Sequence, residues 1–170
     1  PFLIIDGVGY RTEYEPCEAL NRYAARHHRE CSGGRERLEI TYQTVSSVTD
    51  PAAEVEVLTE QLRAHMESHQ GAERASRMCL SGPHKDDLLV TIDGRDAKQY
   101  ASQGQTRTAA LAMKLAEREI HKNAVGEYPV MLLDDVLSEL DPARQEYLLT
   151  RVRQKQTIVT ACDSSLFHKA

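Results

Sequence analysis

The sequence predicts an α/β fold, and three observations carry the prediction. Val130-Met131-Leu132-Leu133 is a short apolar run between Pro129 and the carboxylates Asp134 and Asp135. An apolar run that does not alternate marks a parallel strand buried on both faces. Residues 109–121 are dense in Ala, Leu, Met, Lys and Glu and hold neither Gly nor Pro, which makes them the best helix in the chain. Residues 143–153 read as a further helix with Tyr147, Leu148 and Val152 on its inner face, and Thr157-Ile158-Val159-Thr160 as a second buried strand. Strand, helix and strand make a unit that is right-handed in nearly all known folds.

The remaining elements follow in order. Pro1-Phe2-Leu3-Ile4-Ile5-Asp6-Gly7 reads as an apolar strand without an initiator Met, so the chain is expected to be a fragment. Residues 18–29 read as a surface helix with Leu20, Tyr23 and Ala24 at helical spacing. Around them stand Arg22, Arg26, His27, His28 and Arg29; with Arg35 and Arg37 they form the densest positive stretch in the chain. It is a candidate contact for DNA phosphates, and its competing reading is a solvated basic face. Ser32-Gly33-Gly34 is a turn, and residues 37–45 alternate as a strand. Residues 51–78 read as one long helix or a pair, with Val55, Leu58, Leu62 and Met66 in one stripe and Gly71 as a possible break. Residues 88–92 form a short strand, Asp93-Gly94 a tight turn, and residues 97–100 its return. His84, Lys85, Asp86 and Asp87 precede that strand and take no definite role.

Composition bounds the function. A chain of 170 residues is long enough for one sizeable core or parts of two lobes. Lys and Arg number 21 against 26 Asp and Glu, a net charge of −5, so nucleic acid must be met by a local patch rather than by the overall field. No apolar run approaches the ~20 residues of a membrane span, and no signal peptide is visible. Cys17, Cys31, Cys79 and Cys162 show no C-x-x-C pair, which favours reduced thiols in a cytoplasmic protein over disulfides or a zinc site.

Two stretches carry chemistry. Asp134 and Asp135 stand at the C-terminal end of a predicted parallel strand, the edge where open α/β sheets bind ligands. One carboxylate there is suited to a Mg²⁺ ion and the next to polarising an attacking water; a solvated Asp-Asp turn is the plain alternative. Upstream, Ser102 is a natural N-cap for the helix over residues 109–121, and Gly126 ends it. The first amides of that helix, with Gly104 allowing close approach, suit an anion; an ordinary capped helix is the alternative.

Together these stretches resemble the ABC-type ATPases. Ser102-Gln103-Gly104-Gln105 is similar to their signature, Leu132-Leu133-Asp134-Asp135 to their Walker B strand, and Ser138-Glu139-Leu140-Asp141 to their D-loop. With Ser81-Gly82-Pro83-His84-Lys85-Asp86-Asp87-Leu88 and Ser102 to Thr108 added, the text from about Leu80 to Cys162 resembles the RecF family, the bacterial DNA replication and repair proteins of the recombination-mediator class. The resemblance implies part of an ABC-type P-loop ATPase sheet plus a mostly helical signature lobe. It would place residues 1–100 in the second lobe, 101–128 in the signature helix and 129–170 in the ATPase core.

It also implies that two subunits close head-to-tail on two ATP molecules and clamp DNA at single/double-strand junctions. Asp134 would hold Mg²⁺ and Asp135 would orient the hydrolytic water. Ser102, Gln103, Gly104 and Gln105 would meet the γ-phosphate held by the other subunit, and Asp141 would couple the two sites. RecR and RecO would be its partners in loading recombinase. No G-x-x-x-x-G-K-[ST] loop occurs, so these 170 residues alone are expected neither to hydrolyse ATP nor to bind it tightly. Cys31-Ser32-Gly33-Gly34-Arg35 is nearer to the usual L-S-G-G-Q signature, yet a strand follows it rather than a helix, so Ser32→Arg is expected to leave dimerisation and hydrolysis intact. Two departures stand out: Ala161 and Cys162 follow the last strand where many ABC-type enzymes have a switch histidine, and Asp135 replaces their usual Glu, which suggests slow turnover. Another SMC-like DNA-repair ATPase, or a non-enzymatic dimerisation or DNA-binding module, is the alternative reading.

Overall fold

The structure is a computed structural model that describes residues 8–44, 48–153 and 155–162. The apolar stretch Pro1 to Gly7 lies outside the described residues. Along the chain run α1 (Val8–Cys31), β1 (Leu38–Gln43), α2 (Val55–Ser76), β2 (Asp87–Ile92), β3 (Arg95–Asp96), α3 (Ala97–Tyr100), α4 (Gln103–Val125), β4 (Met131–Asp134), α5 (Pro142–Val152) and β5 (Thr157–Thr160). Short 3₁₀ turns occupy Pro83–Lys85 and Val136–Glu139. One compact unit comprises Thr41–Leu89 with the chain up to Glu18, and the other comprises Ala19–Ile40 with Val90 onward. Among the described residues no helix is long and apolar enough to cross a membrane.

In the first unit, α2 buries Leu58, Leu62 and His65, and packs Leu58 and Leu62 with Val48, Tyr42 and Ala53. The possible break at Gly71 does not occur. The helix runs through that glycine, and its end is set by Arg77 in a left-handed conformation (φ 55°). A mid-helix Gly costs about 1 kcal/mol against Ala, which is too little to stop a helix whose apolar stripe is buried. The buried His65 bonds Ser81 Oγ through Nδ1 at 2.8 Å, Glu73 accepts the Leu80 N–H at 2.7 Å, and the Tyr42 hydroxyl donates to Asp86 at 2.6 Å. These contacts fix the segment that leads into β2.

β1, β2 and β3 form a three-stranded sheet in that order, with β2 and β3 antiparallel. Asp93 and Gly94 both have positive φ (51° and 76°), as a two-residue hairpin turn requires. The return strand is Arg95–Asp96, not residues 97–100. Ala97–Tyr100 is helical because the Asp96 carboxylate accepts the Lys98 N–H at 2.8 Å and caps a turn instead of extending the ladder.

The second unit holds the main core: Cys31 from α1, Leu111 and Leu115 from α4, Met131 and Leu133 from β4, Leu137 and Leu140 beyond it, and Leu148 and Val152 from α5. β4 and β5 pair in parallel with Leu132 opposite Ile158 and Asp134 opposite Thr160. Neither strand is covered on both faces. Met131 and Leu133 point into the core, whereas Leu132 is 71% and Ile158 56% exposed. Successive strand residues face opposite sides, and the described chain offers apolar partners to one side only. α1 is likewise not a surface helix along its whole length, since Ala24, His27, His28 and Cys31 are buried on its inner face. Ser32 is buried as well, so an arginine there has no room and the expected tolerance of Ser32→Arg does not fit the packing.

Candidate functional site

β4 ends at Asp134, whose carboxylate accepts a hydrogen bond from Thr160 Oγ1 at the end of β5. The next residue, Asp135, takes a left-handed backbone (φ 49°), a conformation that costs a non-glycine residue roughly 1–2 kcal/mol. β5 holds it there, because the Asp135 N–H donates to Thr160 O at 3.2 Å and to Thr160 Oγ1 at 3.1 Å. Turned this way, Asp135 leaves its Oδ1 buried with no hydrogen-bond partner among the described residues. The chain continues into the 3₁₀ turn, where Ser138 Oγ donates to Asp135 O at 2.8 Å and Leu137 is fully buried as an anchor. Gln145 Nε2 donates to Leu137 O at 2.8 Å and to Leu140 O at 3.0 Å, which pins the segment from below.

Asp141 closes that segment as the N-cap of α5. Its carboxylate accepts the N–H groups of Ala143 and Arg144, each at 3.1 Å, and the Arg144 guanidinium at 2.9 Å. These bonds, that from the Arg144 N–H foremost, hold its carboxyl below the usual Asp range. Pro142 at the first helical position needs no hydrogen-bond partner for its nitrogen.

α4 begins as its sequence predicts. Ser102 Oγ accepts the Gln105 N–H at 3.3 Å, and Gln105 Oε1 accepts the Ser102 N–H at 3.0 Å, a complete capping box. Gly126 ends the helix in a left-handed conformation (φ 89°). Gln103 is exposed at the first position. A Cβ on Gly104 would lie 3.4 Å from Arg144 Nη1, so the bare glycine lets the guanidinium lie alongside. One turn on, Arg107 pairs with Glu139 at 3.2 Å. Two arginines thus bring the start of α4 beside residues 138–144. Among the described residues no hydrogen bond or ion pair joins Ser102 to Gln105 directly with Asp134 or Asp135.

The basic stretch fares differently. His27 and His28 are buried and leave the surface to the arginines. Arg26, Arg29, Arg35 and Arg37 line a cleft of about 690 Å³, but Glu30, Glu36, Glu39 and Asp93 line it too. Four positive and four negative side chains give no net attraction for a polyanion.

Sequence reasoning missed Thr160, Glu36 and His28. Thr160 was within reach, because parallel pairing of the two strand ends sets it opposite Asp134. Nothing in linear spacing places Glu36, 69 residues away, against Gln105, whose Nε2 donates to it at 3.3 Å.

No family model matches the chain. The DNA replication and repair protein RecF of Symbiobacterium thermophilum is 45% identical over 150 residues, 88% of this chain and 40% of the relative. RecF of Synechococcus sp. (strain JA-3-3Ab) is 43% identical over 154 residues, 90% of this chain and 40% of the relative. A solved structure described as the recombination mediator protein RecF-ATPrS in the RecFOR pathway superposes with a TM-score of 0.79 at 34% identity, over 93% of this chain and 43% of that one. A second, described as RecF-ATP in the same pathway, gives 0.77 at 35% identity, over 92% and 42%. The chain spans about two fifths of the length of the curated relatives it matches. Over most of its length, therefore, the chain corresponds to a partial region of the RecF family.

Proposed function

We propose that this chain supplies three parts of a recombination-mediator ATPase of DNA replication and repair: a Walker B strand ending in Asp134 and Asp135, a D-loop over residues 138–141, and a signature at Ser102-Gln103-Gly104-Gln105. The observation that carries the reading is Asp135. Its carboxylate stands at the C-terminal edge of a parallel strand pair with one buried oxygen unpartnered. Leaving such an acceptor unpaired costs stability, a cost that a carboxylate held for chemistry rather than for packing retains.

Mg²⁺ in nucleotide sites is commonly held by one or two carboxylates with phosphates and water, not by an all-protein cage. Asp134 and Asp135 fit that need; among the described residues no group of three or more His, Cys, Asp or Glu is placed to hold a metal unaided. Mg²⁺ bound with ATP supplies charge neutralisation at the transferred phosphoryl group. Asp134 is the proposed metal holder, with Thr160 fixing its orientation, and Asp135 the proposed base. The capping box of Ser102 and Gln105 occupies their own amides and leaves those of Gln103 and Gly104 to present the positive end of a 23-residue helix to the γ-phosphate held by a second copy, with the Ser102 and Gln105 side chains beside them. Asp141 couples the sites through Arg144, which bonds it and lies alongside Gly104. An ATP-dependent homodimer acting on DNA at single/double-strand junctions, with RecR and RecO as partners, completes the reading. The solved RecF structures, described with ATP or ATPrS and in the RecFOR pathway, support it.

The test is Asp135→Asn in the full-length protein encoded by the reading frame that carries this chain. The amide keeps the shape but cannot accept the water's proton, so nucleotide binding persists while hydrolysis slows ~100-fold or more. Wild-type turnover in single-turnover assays removes Asp135 from the mechanism.

A further inference from the structure

The Ser32 turn looks idle, since no helix follows it to receive an anion. Its side chains nevertheless lead to the start of α4. Ser32 Oγ donates to Arg29 O at 3.2 Å and accepts the Glu36 N–H at 3.3 Å, while Arg35 Nε donates to Ser32 O at 2.9 Å. Glu36 is thereby fixed two residues before β1. Its Oε2 lies 3.1 Å from Nε2 of His28, which is fully buried. A carboxylate only accepts, and the other ring nitrogen of His28 has no partner among the described residues, so the ring is assigned as the Nε2–H tautomer that donates to Glu36. Glu36 Oε1 accepts the side-chain amide N–H of Gln105, and Gln105 Oε1 in turn accepts the Ser102 N–H.

We infer that Glu36, braced by His28 and the Ser32 turn, is a positioning residue for the signature: it fixes the side-chain amide of Gln105 and through it the capping box that aims the first amides of α4. The inference rests on the signature reading proposed above. Its physical basis is the asymmetry of the glutamine amide. One end of Gln105 must accept from Ser102 and the other must donate, and a carboxylate, which only accepts, permits a single orientation. Remove it and the Nε2 end of the amide loses its acceptor, so the side chain is held at its Oε1 end alone and that half of the capping box loosens, while the bond from the Gln105 N–H to Ser102 Oγ remains. Glu36 itself touches no nucleotide in this arrangement; it acts through Gln105.

The experiment is a double-mutant cycle in the full-length protein, read by sedimentation with and without a non-hydrolysable ATP analogue. Glu36→Ala is expected to weaken ATP-dependent dimerisation about tenfold, the scale of one lost charge-assisted contact, while ATP binding by the single subunit is unchanged. Gln105→Ala is expected to do the same, and the double mutant to be no worse than Gln105→Ala alone. Additive losses, or wild-type dimerisation by Glu36→Ala, overturn the inference. If Glu36→Ala does not fold, the cycle is run with Glu36→Asp, which keeps the charge near His28 and withdraws it from Gln105, under the same criterion. Ser102→Arg separates the two levels. If it leaves dimerisation intact, the signature reading itself fails; if it abolishes dimerisation while Glu36→Ala does not impair it, only the positioning role fails.

Discussion

His27 shows how much one buried side chain can reveal. Its Nδ1 lies 2.9 Å from the Tyr147 hydroxyl, which donates to Glu30 at 2.9 Å, so the ring is the donor and its buried Nε2 is left without a partner among the described residues. Burial, with Arg26 beside it, lowers its pKa to about 4. His28 is shifted the same way, again by burial first. A histidine whose folded pKa lies below the unfolded 6.5 is protonated more readily in the unfolded chain, so between those values the unfolded state binds more protons. Stability conferred by keeping His27 neutral is therefore complete above pH about 6.5 and is lost as pH falls toward about 4. The urea midpoint at pH 5 is expected to lie below that at pH 7, and His27→Gln to flatten the difference; an unchanged slope in the variant rules out His27 as the source. Cys31 nearby is pushed up to about 11 by burial, which makes it a packing residue rather than a nucleophile.

Among the elements, α4 was legible because its ends are written in residue chemistry. A serine able to cap the start and a glycine at the far end each give a local reason for a helix boundary. α2 was less legible because its stop is Arg77, a residue type that gives no warning, while the glycine that does give warning lies idle in mid-helix. That contrast has a measurable consequence. A Cβ at Gly71 meets nothing within 4 Å, and its backbone is helical. Gly71→Ala is expected to stabilise the chain by roughly 0.5–1 kcal/mol, through helix propensity and a less free unfolded chain. In urea denaturation a fall in the midpoint refutes this. The hairpin was half legible: Asp93-Gly94 announces its turn, but the Asp96 cap that converts the return into a helical turn depends on a side-chain bond that alternation does not encode.

For the molecule as a whole, what the sequence conceals is distance along the chain. Each compact unit is assembled from separated stretches, so contacts such as Gln105 with Glu36, Asn123 with Tyr23, or Arg151 with Glu30 have no signature in a local window. The carboxylate end of β4 was legible because strand, turn and cap follow one another directly. One feature of that strand pair bears on handling rather than chemistry. Leu132 and Ile158 are direct cross-strand neighbours, both well exposed, and Val130 is 48% exposed beside them. A sticky facet on so small a sheet is a colloidal liability. The 170-residue chain is expected to light up a hydrophobic dye such as ANS while still folded and to scatter light increasingly with concentration, and Leu132→Thr with Ile158→Thr to quench both signals without lowering helix content. Equal dye fluorescence from the double variant would place the sticky surface elsewhere, but if the facet is responsible, detergent or a higher working charge, more than added salt, will keep this chain in solution.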